Sequence, residues 1–364
     1  ALGLLGAWAL LGRFCAGDTR KLALACLLLT PFYQFNALRF NANTIQLSLW
    51  AWTLYFFVRS IETRKLAASV VAALIGGVAL LSKYYSLILI ATCFFASLTH
   101  ENRKEYFKSF APYATFLIAF LVFSPHMIWL FRDGFQPLIY LAGRVDYPNQ
   151  TIAGYYFEFI GAYILFFAIP IVLLLAPKFF ARKASAPISP ATVEGDPTFI
   201  TMLALTPVVL TLIAGSIGHV SLTPPDGIAI FCLFPLVLIR LINPNVEKSL
   251  HITKRFVVAL MIVMGLLGPF VPYISLTYLK KGHEDPRYEI VDKATAIWKS
   301  ETSAPLRYVA GSDPYNFVLG FRSQDNTSEF RGFNFKWAPW ITREGIKKDG
   351  MLVVCAETDR GCML

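Results

Sequence analysis

The sequence predicts an all-α polytopic membrane protein, a helical bundle of about ten transmembrane helices, followed by a small extracytoplasmic α/β domain. Of its 364 residues 56% are hydrophobic and 15% are charged, whereas soluble globular proteins carry about 25% charged residues. The apolar residues lie in long runs that are separated by short clusters of Lys and Arg. These runs are predicted to be helical, because lipid leaves unpaired backbone groups without a hydrogen-bond partner.

The predicted transmembrane domain covers residues 1–278. Several of its apolar runs are shorter than the ~20 residues that span a bilayer unaided, so their ends are approximate. The ten predicted helices are residues 1–12, 22–35, 44–58, 66–82, 86–98, 109–130, 155–176, 198–217, 227–242 and 256–278. The chain begins without Met, inside the first run, and no charged segment precedes that run as in a signal peptide. We therefore expect that an upstream helix and its outer loop are missing.

The positive residues assign a side of the membrane to each loop. Lys and Arg are concentrated in one alternate set of loops, at residues 13–21, 59–65, 103–108, 178–183 and 240–255. The other set contains only Arg39, Lys83, Arg132 and Arg144. Because positive residues are retained in the cytoplasm, the second set and residues 279–364 are predicted to face outward. The sequence forms no domain-sized basic stripe, so the net charge of +10 does not indicate a nucleic-acid partner.

Residues 279–364 are more polar and are predicted to form a periplasmic α/β domain that is incomplete at its end. An amphipathic helix is predicted at 290–299, and strands at 306–310, 317–321 and 351–355. Cys355 and Cys362 are predicted to pair in this oxidising compartment, although two unrelated thiols remain the alternative.

A short polar turn, Arg39 to Thr44, leads directly into the apolar run at 44–58. One interpretation is a helix N-terminus capped by Asn43 or Thr44, which are residue types that favour this position. The other interpretation is the rim of a site at the membrane surface, formed by Arg39, Asn41 and Asn43. The remaining outward-facing polar residues favour the second interpretation.

Two further outer helix ends carry polar groups. Lys83-Tyr84-Tyr85 interrupts two apolar runs, and Ser124-Pro125-His126 is predicted to end a helix shortly before Arg132. Each group has a structural alternative, since Lys83 could extend to the interface and His126 could cap a helix or lie in the aromatic belt. Together they place several cations and an imidazole at one depth on one face.

Such a ring of cations suits a lipid-linked phosphate. The tail of a polyprenyl phosphate would lie between helices, while Lys and Arg would neutralise the head and stabilise the phosphate as it leaves. Sugar transfer also needs a carboxylate that accepts the proton of the acceptor. The outer loops contain Asp133, Asp146 and Asp226, but none of them stands in an obvious acid/base pair.

Several stretches of residues 1–280 resemble GT-C glycosyltransferases of the protein-mannosyltransferase and lipid A aminoarabinose-transferase type. The sharpest similarities are Leu81-Ser82-Lys83-Tyr84, which follows a Gly-containing helix, and Ser124-Pro125-His126, which precedes Trp129. The other similar stretches are residues 1–14, 29–32, 43–50 and 134–137.

The resemblance implies an inverting sugar transfer on the periplasmic side of a bacterial inner membrane. The donor would be a polyprenyl-phosphate-linked sugar, and the acceptor a glycolipid, such as lipopolysaccharide, or a polysaccharide. Lys83 would bind the donor phosphate, helped by Arg39 or Arg132, and Tyr84 and His126 would line the donor cavity. Asn41 and Asn43 would lie at the rim beside the acceptor, and the outer domain would help to select that acceptor.

Two departures from the family concern the chemistry. The family's catalytic Asp lies in its first outer loop, which corresponds to a region upstream of Ala1, so no catalytic residue is assigned here. A second outer Asp of the family is replaced by Asn43, which cannot act as a base and weakens a metal site. The sequence is thus compatible with a reaction that uses a divalent metal and with one that does not, and it indicates no other cofactor.

Two other functions remain possible from the sequence. A transporter or flippase of lipid-linked saccharides would be expected to show internal repeats and charged residues at mid-membrane. The sequence shows no clear repeat, and its apolar runs are nearly free of charge. A polymerase or ligase of surface polysaccharide would be chemically close to the predicted transferase.

Overall fold

The computed structural model describes residues 1–34, 41–143, 152–179, 193–218, 223–268, 270, 273–274, 286–323, 325–335, 337–357 and 359–363. The described residues form two compact units. The first comprises Ala1–Phe135 and Leu141–Met261, and the second comprises Gln136–Tyr140 and Ile262–Leu364. The predicted boundary after residue 278 falls among residues outside the described ones and stays a prediction.

Thirteen α-helices precede residue 268 in the described part of the chain. They are α1 (Leu2–Leu11), α2 (Gly17–Leu28), α3 (Ala42–Thr63), α4 (Leu66–Ser82), α5 (Leu87–Ser97), α6 (Arg103–Lys108), α7 (Ala111–Arg132), α8 (Gln136–Gly143), α9 (Ile152–Phe166), α10 (Ala168–Phe179), α11 (Pro197–Gly218), α12 (Phe234–Ile242) and α13 (Val246–Leu267). Short 3-10 helices lie at Tyr84–Ser86 and Pro224–Phe231.

Helices that could cross a membrane are present, as the composition indicates. Among the described residues, α7, α11 and α13 are long and apolar enough to span a bilayer. Two bent pairs raise this number to five if each is a single span: Gly154–Phe166 with Ala168–Phe179, bent by 48°, and Pro224–Phe231 with Phe234–Ile242, bent by 68°. The helical membrane class is therefore confirmed, while the count of ten spans stays a prediction.

Small residues bring α3, α4 and α7 close together. Ser60 of α3 and Ser69 of α4 share a buried hydrogen bond of 2.7 Å. A Cβ on Gly77 of α4 would lie 2.7 Å from Val122 of α7, which is closer than side chains pack. Small residues at such contacts let helices approach in the membrane, where dispersion and hydrogen bonds drive association. The ends of these three helices carry most of the predicted site residues.

Three predicted helices have a different course. The run at 155–176 is interrupted at Phe167, between α9 and α10. The run at 227–242 is not one helix, because it breaks near Cys232 and Leu233 between a 3-10 helix and α12. Conversely, Ser124-Pro125-His126 does not end a helix, since α7 continues to Arg132. Proline removes the N–H that would bond to the carbonyl of Leu121, and the Ser124 hydroxyl donates to this carbonyl instead, at 2.9 Å.

The second unit contains a three-stranded parallel sheet of order β2-β1-β3, with β1 at Tyr308–Gly311, β2 at Ser328–Glu329 and β3 at Leu352–Val354. The register pairs Tyr308 with Ser328 and Val309 with Leu352. Its helices are α14 (Pro286–Glu301), α15 (Tyr315–Arg322), α16 (Arg343–Asp349) and α17 (Arg360–Met363). A 3-10 helix lies at Arg331–Phe333.

Successive residues of β1 point to opposite faces of the sheet and enter two small cores. Val309 packs with Val291 of α14 and Leu319 of α15, whereas Ala310 packs with Phe330 and Ile341. The predicted strand at 317–321 is wrong: these residues belong to α15, whose Leu319 is buried against β1. A short apolar run alone does not distinguish a strand from a buried helix.

A disulfide joins Cys355 to Cys362 in the second unit, with their Cα atoms 5.6 Å apart. Cys355 directly follows β3, and Cys362 lies in α17. The bond therefore ties the last described helix to the edge strand of the sheet.

Candidate active site

The beginning of α3 is fixed by a capping box around Asn41. Its side-chain oxygen accepts hydrogen bonds from the backbone N–H groups of Asn43 and Thr44, at 2.9 and 3.1 Å. The Thr44 hydroxyl oxygen accepts from the backbone N–H of Asn41 at 3.1 Å. The capping residue is thus Asn41, rather than Asn43 or Thr44 as the first interpretation of this turn expects. Arg39 lies outside the described residues.

Because Asn41 caps the helix, the side chain of Asn43 is free to face another element. Its Oδ1 accepts a hydrogen bond from Lys83 Nζ at 2.6 Å. Lys83 directly follows α4, where the backbone leaves the helical conformation for an extended one. The beginning of α3 and the end of α4 thus meet through an amide and an ammonium.

Asp226 is the third member of this cluster. Its Oδ1 lies 2.7 Å from Lys83 Nζ. The two side chains are only 25% and 24% exposed, so this ion pair is largely shielded from solvent. The sequence marks Asp226 as an outward-facing carboxylate but gives no sign of its partner, which lies 143 residues away along the chain.

The segment that carries Asp226 is held in place at several points. The Thr223 hydroxyl donates to Asp226 Oδ2. The backbone N–H of Thr223 donates to the same oxygen at 3.4 Å, as part of a second capping box at the start of the 3-10 helix. Tyr163 Oη donates to the carbonyl of Pro224 at 2.5 Å. A Cβ on Gly227 would lie 2.7 Å from Tyr163 Oη, so a side chain larger than hydrogen would displace this contact. The carboxylate is therefore presented to Lys83 by a well-packed turn.

A second polar pair lies beside the first. Tyr84, which follows Lys83, places its Oη 2.6 Å from His126 Nε2. The imidazole stacks on Trp129 of the same helix, with ring centroids 5.2 Å apart. Phe123 contacts both side chains of this pair. Its ring centroid lies 5.3 Å from that of His126 and 6.5 Å from that of Tyr84. The imidazole and the phenol thus contact each other, and the chain links them directly to Lys83.

Arg132 lies apart from these two pairs. It is an exposed residue in the last turn of α7. It follows His126 by six positions, which is about 9 Å along a helix. The structure therefore gathers Asn43, Lys83, Tyr84 and His126 into one region, with Asn41 as the cap that orders it.

A buried hydrogen-bond network connects α3 to the residues that flank Lys83. Gln46 Nε2 donates to the carbonyl of Ala79 at 3.1 Å, and its Oε1 accepts from the Ser86 hydroxyl at 2.8 Å. Ser86 also accepts from Trp50 Nε1 at 3.2 Å. These bonds tie α3 to the residues on both sides of Lys83. Sequence analysis missed this role, because isolated polar residues in an apolar run give no indication of their partners.

The aromatic ring of Tyr85 lies against the ammonium group of Lys83. Lys83 Nζ lies 5.4 Å from the centre of its ring, within the range of a cation–π contact. Trp50 stacks on the same ring at 5.8 Å, and Tyr85 Oη shares a hydrogen bond of 2.6 Å with Thr211 Oγ1. The ammonium is thus bounded by an aromatic face, an amide oxygen and a carboxylate.

This arrangement can bind an anion. An ammonium group has three donors, and Asn43 and Asp226 accept two of those of Lys83. A phosphate could accept the third, or it could replace the Asp226 carboxylate as the anion beside the ammonium, and the Tyr84 hydroxyl is a further donor nearby. The described residues include no group of three or more His, Cys, Asp and Glu side chains that could hold a metal ion.

The described helices define a multi-pass membrane protein that carries a polar cluster at its helix ends. Residues 1–129 match the family model for dolichyl-phosphate-mannose-protein mannosyltransferase. This match confirms the resemblance to GT-C glycosyltransferases over that part of the chain, and it indicates a membrane glycosyltransferase. It includes Asn41, Asn43, Lys83, Tyr84 and His126 but not Asp226.

Neither the curated proteins nor the solved structures include a match to this chain.

Proposed function

We propose that this protein transfers a sugar from a polyprenyl-phosphate donor to a glycolipid or polysaccharide on the periplasmic side of a bacterial inner membrane. The observation that carries the proposal is the position of Lys83 Nζ, 2.6 Å from Asn43 and 2.7 Å from Asp226, beside the Tyr84–His126 pair. A lipid-linked phosphate would be anchored where an oriented ammonium meets the ends of apolar helices.

Each side chain has a proposed role. Lys83 binds the donor phosphate and stabilises the negative charge that develops on it as the bond to the sugar breaks. Tyr84 and His126 line the donor side and donate to the remaining phosphate oxygens. Asn43 offers its amide N–H groups to the sugar or the acceptor, and Asn41 acts by holding Asn43 in place. Arg39 or Arg132 adds positive charge near the head group.

Transfer itself is a displacement at the anomeric carbon. The acceptor hydroxyl forms the new carbon–oxygen bond, and the bond between carbon and phosphate oxygen breaks with its electron pair staying on the phosphate. A carboxylate must accept the proton of the hydroxyl. Asn43 cannot do so because an amide is not a base at neutral pH.

Asp226 has a different role in the proposal. In the absence of donor its carboxylate neutralises Lys83, which would otherwise be a largely buried, unpaired charge. The donor phosphate takes this place when it binds, and Asp226 returns when the phosphate leaves. Exchange of one anion for another keeps the ammonium neutralised in both states.

The test is the binding of a long-chain polyprenyl phosphate to the protein in lipid nanodiscs. Lys83→Ala should abolish this binding, since it removes the cation that the head group contacts. Lys65→Ala is the matched control, because Lys65 precedes the same helix at its opposite end. Unchanged affinity in Lys83→Ala would refute the assignment. A radiolabelled sugar donor then separates the reactions, since transport would relocate the labelled lipid without transferring its sugar.

A further inference from the structure

An apolar cavity of about 330 Å³ lies within the first unit. It is bounded by α3, α4, α5 and α7, with α6 at one end. Small residues on two helices make the space, among them Ala72 and Gly76 of α4 and Ala119 of α7. Most of the remaining lining is aliphatic or aromatic, although it includes Thr53, Cys93, Ser97 and Thr115. The cavity therefore suits a hydrocarbon better than a polar ligand.

The cavity is elongated. On α7 its lining extends from Pro112 to Phe123, which is roughly 16 Å at the rise of an α-helix. This is about half of the ~30 Å hydrocarbon thickness of a bilayer. An extended chain fits such a shape, whereas a compact ring system does not.

The cavity borders an exposed apolar surface of the bundle. Four of its lining residues, Leu87, Phe94, Phe116 and Phe120, are more than half exposed. Large apolar side chains that are this exposed in a membrane unit face hydrocarbon rather than water. A lipid chain can therefore enter from the side, without passing through the polar cluster.

One end of the cavity meets the polar cluster. Phe123 lines the cavity and also contacts both Tyr84 and His126. Leu80 and Leu87, which line it as well, stand a few residues before and after Lys83. A molecule with a phosphate on Lys83 would thus have the cavity directly beneath its head group.

A polar atom in the wall gives a second, independent indication of a ligand. Thr53 lines the cavity and is only 5% exposed, and its Oγ1 has no hydrogen-bond partner among the described residues. An unpaired buried hydroxyl is costly. The double bonds of an isoprenoid can accept a weak O–H···π contact from it, which a saturated acyl chain cannot.

We propose that this cavity binds the isoprene units nearest the phosphate of the donor lipid, with Thr53 facing a double bond of the chain. This inference rests on the proposed function, because it takes the same lipid and extends its binding site from the head group to the tail. It assigns α4, α5 and α7 to recognition of the chain, and the residues around Lys83 to recognition of the phosphate.

The experiment compares two variants on the same helix. Ala119→Phe fills the cavity, and Ala114→Phe adds the same ring at a position of α7 outside the lining. Affinity is measured in nanodiscs with two probes, a long-chain polyprenyl phosphate and geranyl phosphate, which has too short a chain to fill the cavity. Ala119→Phe should weaken long-chain binding about tenfold or more, because several buried CH₂ groups lose their place. Ala114→Phe should leave it unchanged.

The outcomes separate this inference from the proposed function. If Ala119→Phe binds the long-chain probe as tightly as the parent does, the cavity proposal is wrong, while loss of binding in Lys83→Ala still supports the head-group site. If the parent protein binds neither probe, both proposals fail. Should Ala119→Phe not fold, Gly76→Leu fills the same cavity, since a Cβ there meets only Thr53 at an ordinary 3.4 Å. A saturated long-chain alkyl phosphate that binds as well as the polyprenyl probe would overturn the choice of an isoprenoid.

Discussion

Replacing Asp226 by Asn tests whether the donor phosphate takes the place of this carboxylate. The substitution removes the negative charge beside Lys83 but keeps an oxygen that can accept its hydrogen bond. In the parent protein the phosphate must compete with Asp226 for the ammonium, and it also experiences the repulsion of a nearby anion. We therefore expect Asp226→Asn to bind a long-chain polyprenyl phosphate more tightly than the parent does.

The ion-pair geometry sets the magnitude. Two unit charges about 4 Å apart interact by about 4 kcal/mol at an effective dielectric constant of about 20. Lys83 and Asp226 are each about three-quarters buried, so little of this attraction is lost to solvent screening. The neutral amide recovers part of it as a hydrogen bond of about 1 kcal/mol. The expected gain in binding is therefore about 1.4 to 3 kcal/mol, or ten- to hundredfold in affinity.

The assay is equilibrium binding of the polyprenyl phosphate in nanodiscs at low and high salt. Asp133→Asn is the control, because this substitution removes the same formal charge from an exposed carboxylate just beyond α7. Unchanged affinity in Asp226→Asn would refute the exchange of anions. Weaker binding would refute it too, and would show that the carboxylate positions Lys83 for the phosphate rather than competing with it.

Two further predictions concern buried polar groups in the two units. Burial raises the pKa of Glu329, against the opposing effect of Arg331, so the carboxyl holds its proton more tightly in the folded state than in the unfolded state. The second unit therefore loses stability as pH rises through the folded pKa of Glu329. Glu329→Gln, which can still accept from Asn316 Nδ2, should therefore protect β1 from hydrogen exchange at neutral pH but not in acid; equal protection at both would contradict this. Gln46→Leu should destabilise the first unit by about 1–3 kcal/mol, because the Ser86 hydroxyl loses its acceptor. An unchanged melting temperature would contradict it.

Sequence alone predicted the helical membrane class and the resemblance to GT-C glycosyltransferases, because both depend on local signals. Apolar runs mark helices wherever lipid or a core surrounds them. The string from Leu81 to Tyr84 lies where α4 ends, at the point where the polar residues also appear. Such signals can be recognised in the sequence without knowing which helices are neighbours.

The partners of these residues could not be predicted in the same way. The pairing of Lys83 with Asp226 depends on the packing of segments that are far apart in the chain, and either residue alone has the pattern of an interface side chain. The course of α7 through Pro125 depends on a local substitution of hydrogen bonds by Ser124. The identity of α15 depends on burial of Leu319 against β1.

The origin of Asp226 bears on how the site is assembled. The family match at residues 1–129 contains the cation and the Tyr84–His126 pair, but the carboxylate comes from a later segment. That segment is bent by 68° between Pro224–Phe231 and α12, and its first part is a 3-10 helix. Irregular backbone at membrane depth is tolerated where protein buries it or where it lines a cavity. The first part of this segment places Asp226 against Lys83, so a segment outside the matched region completes the polar cluster around this cation.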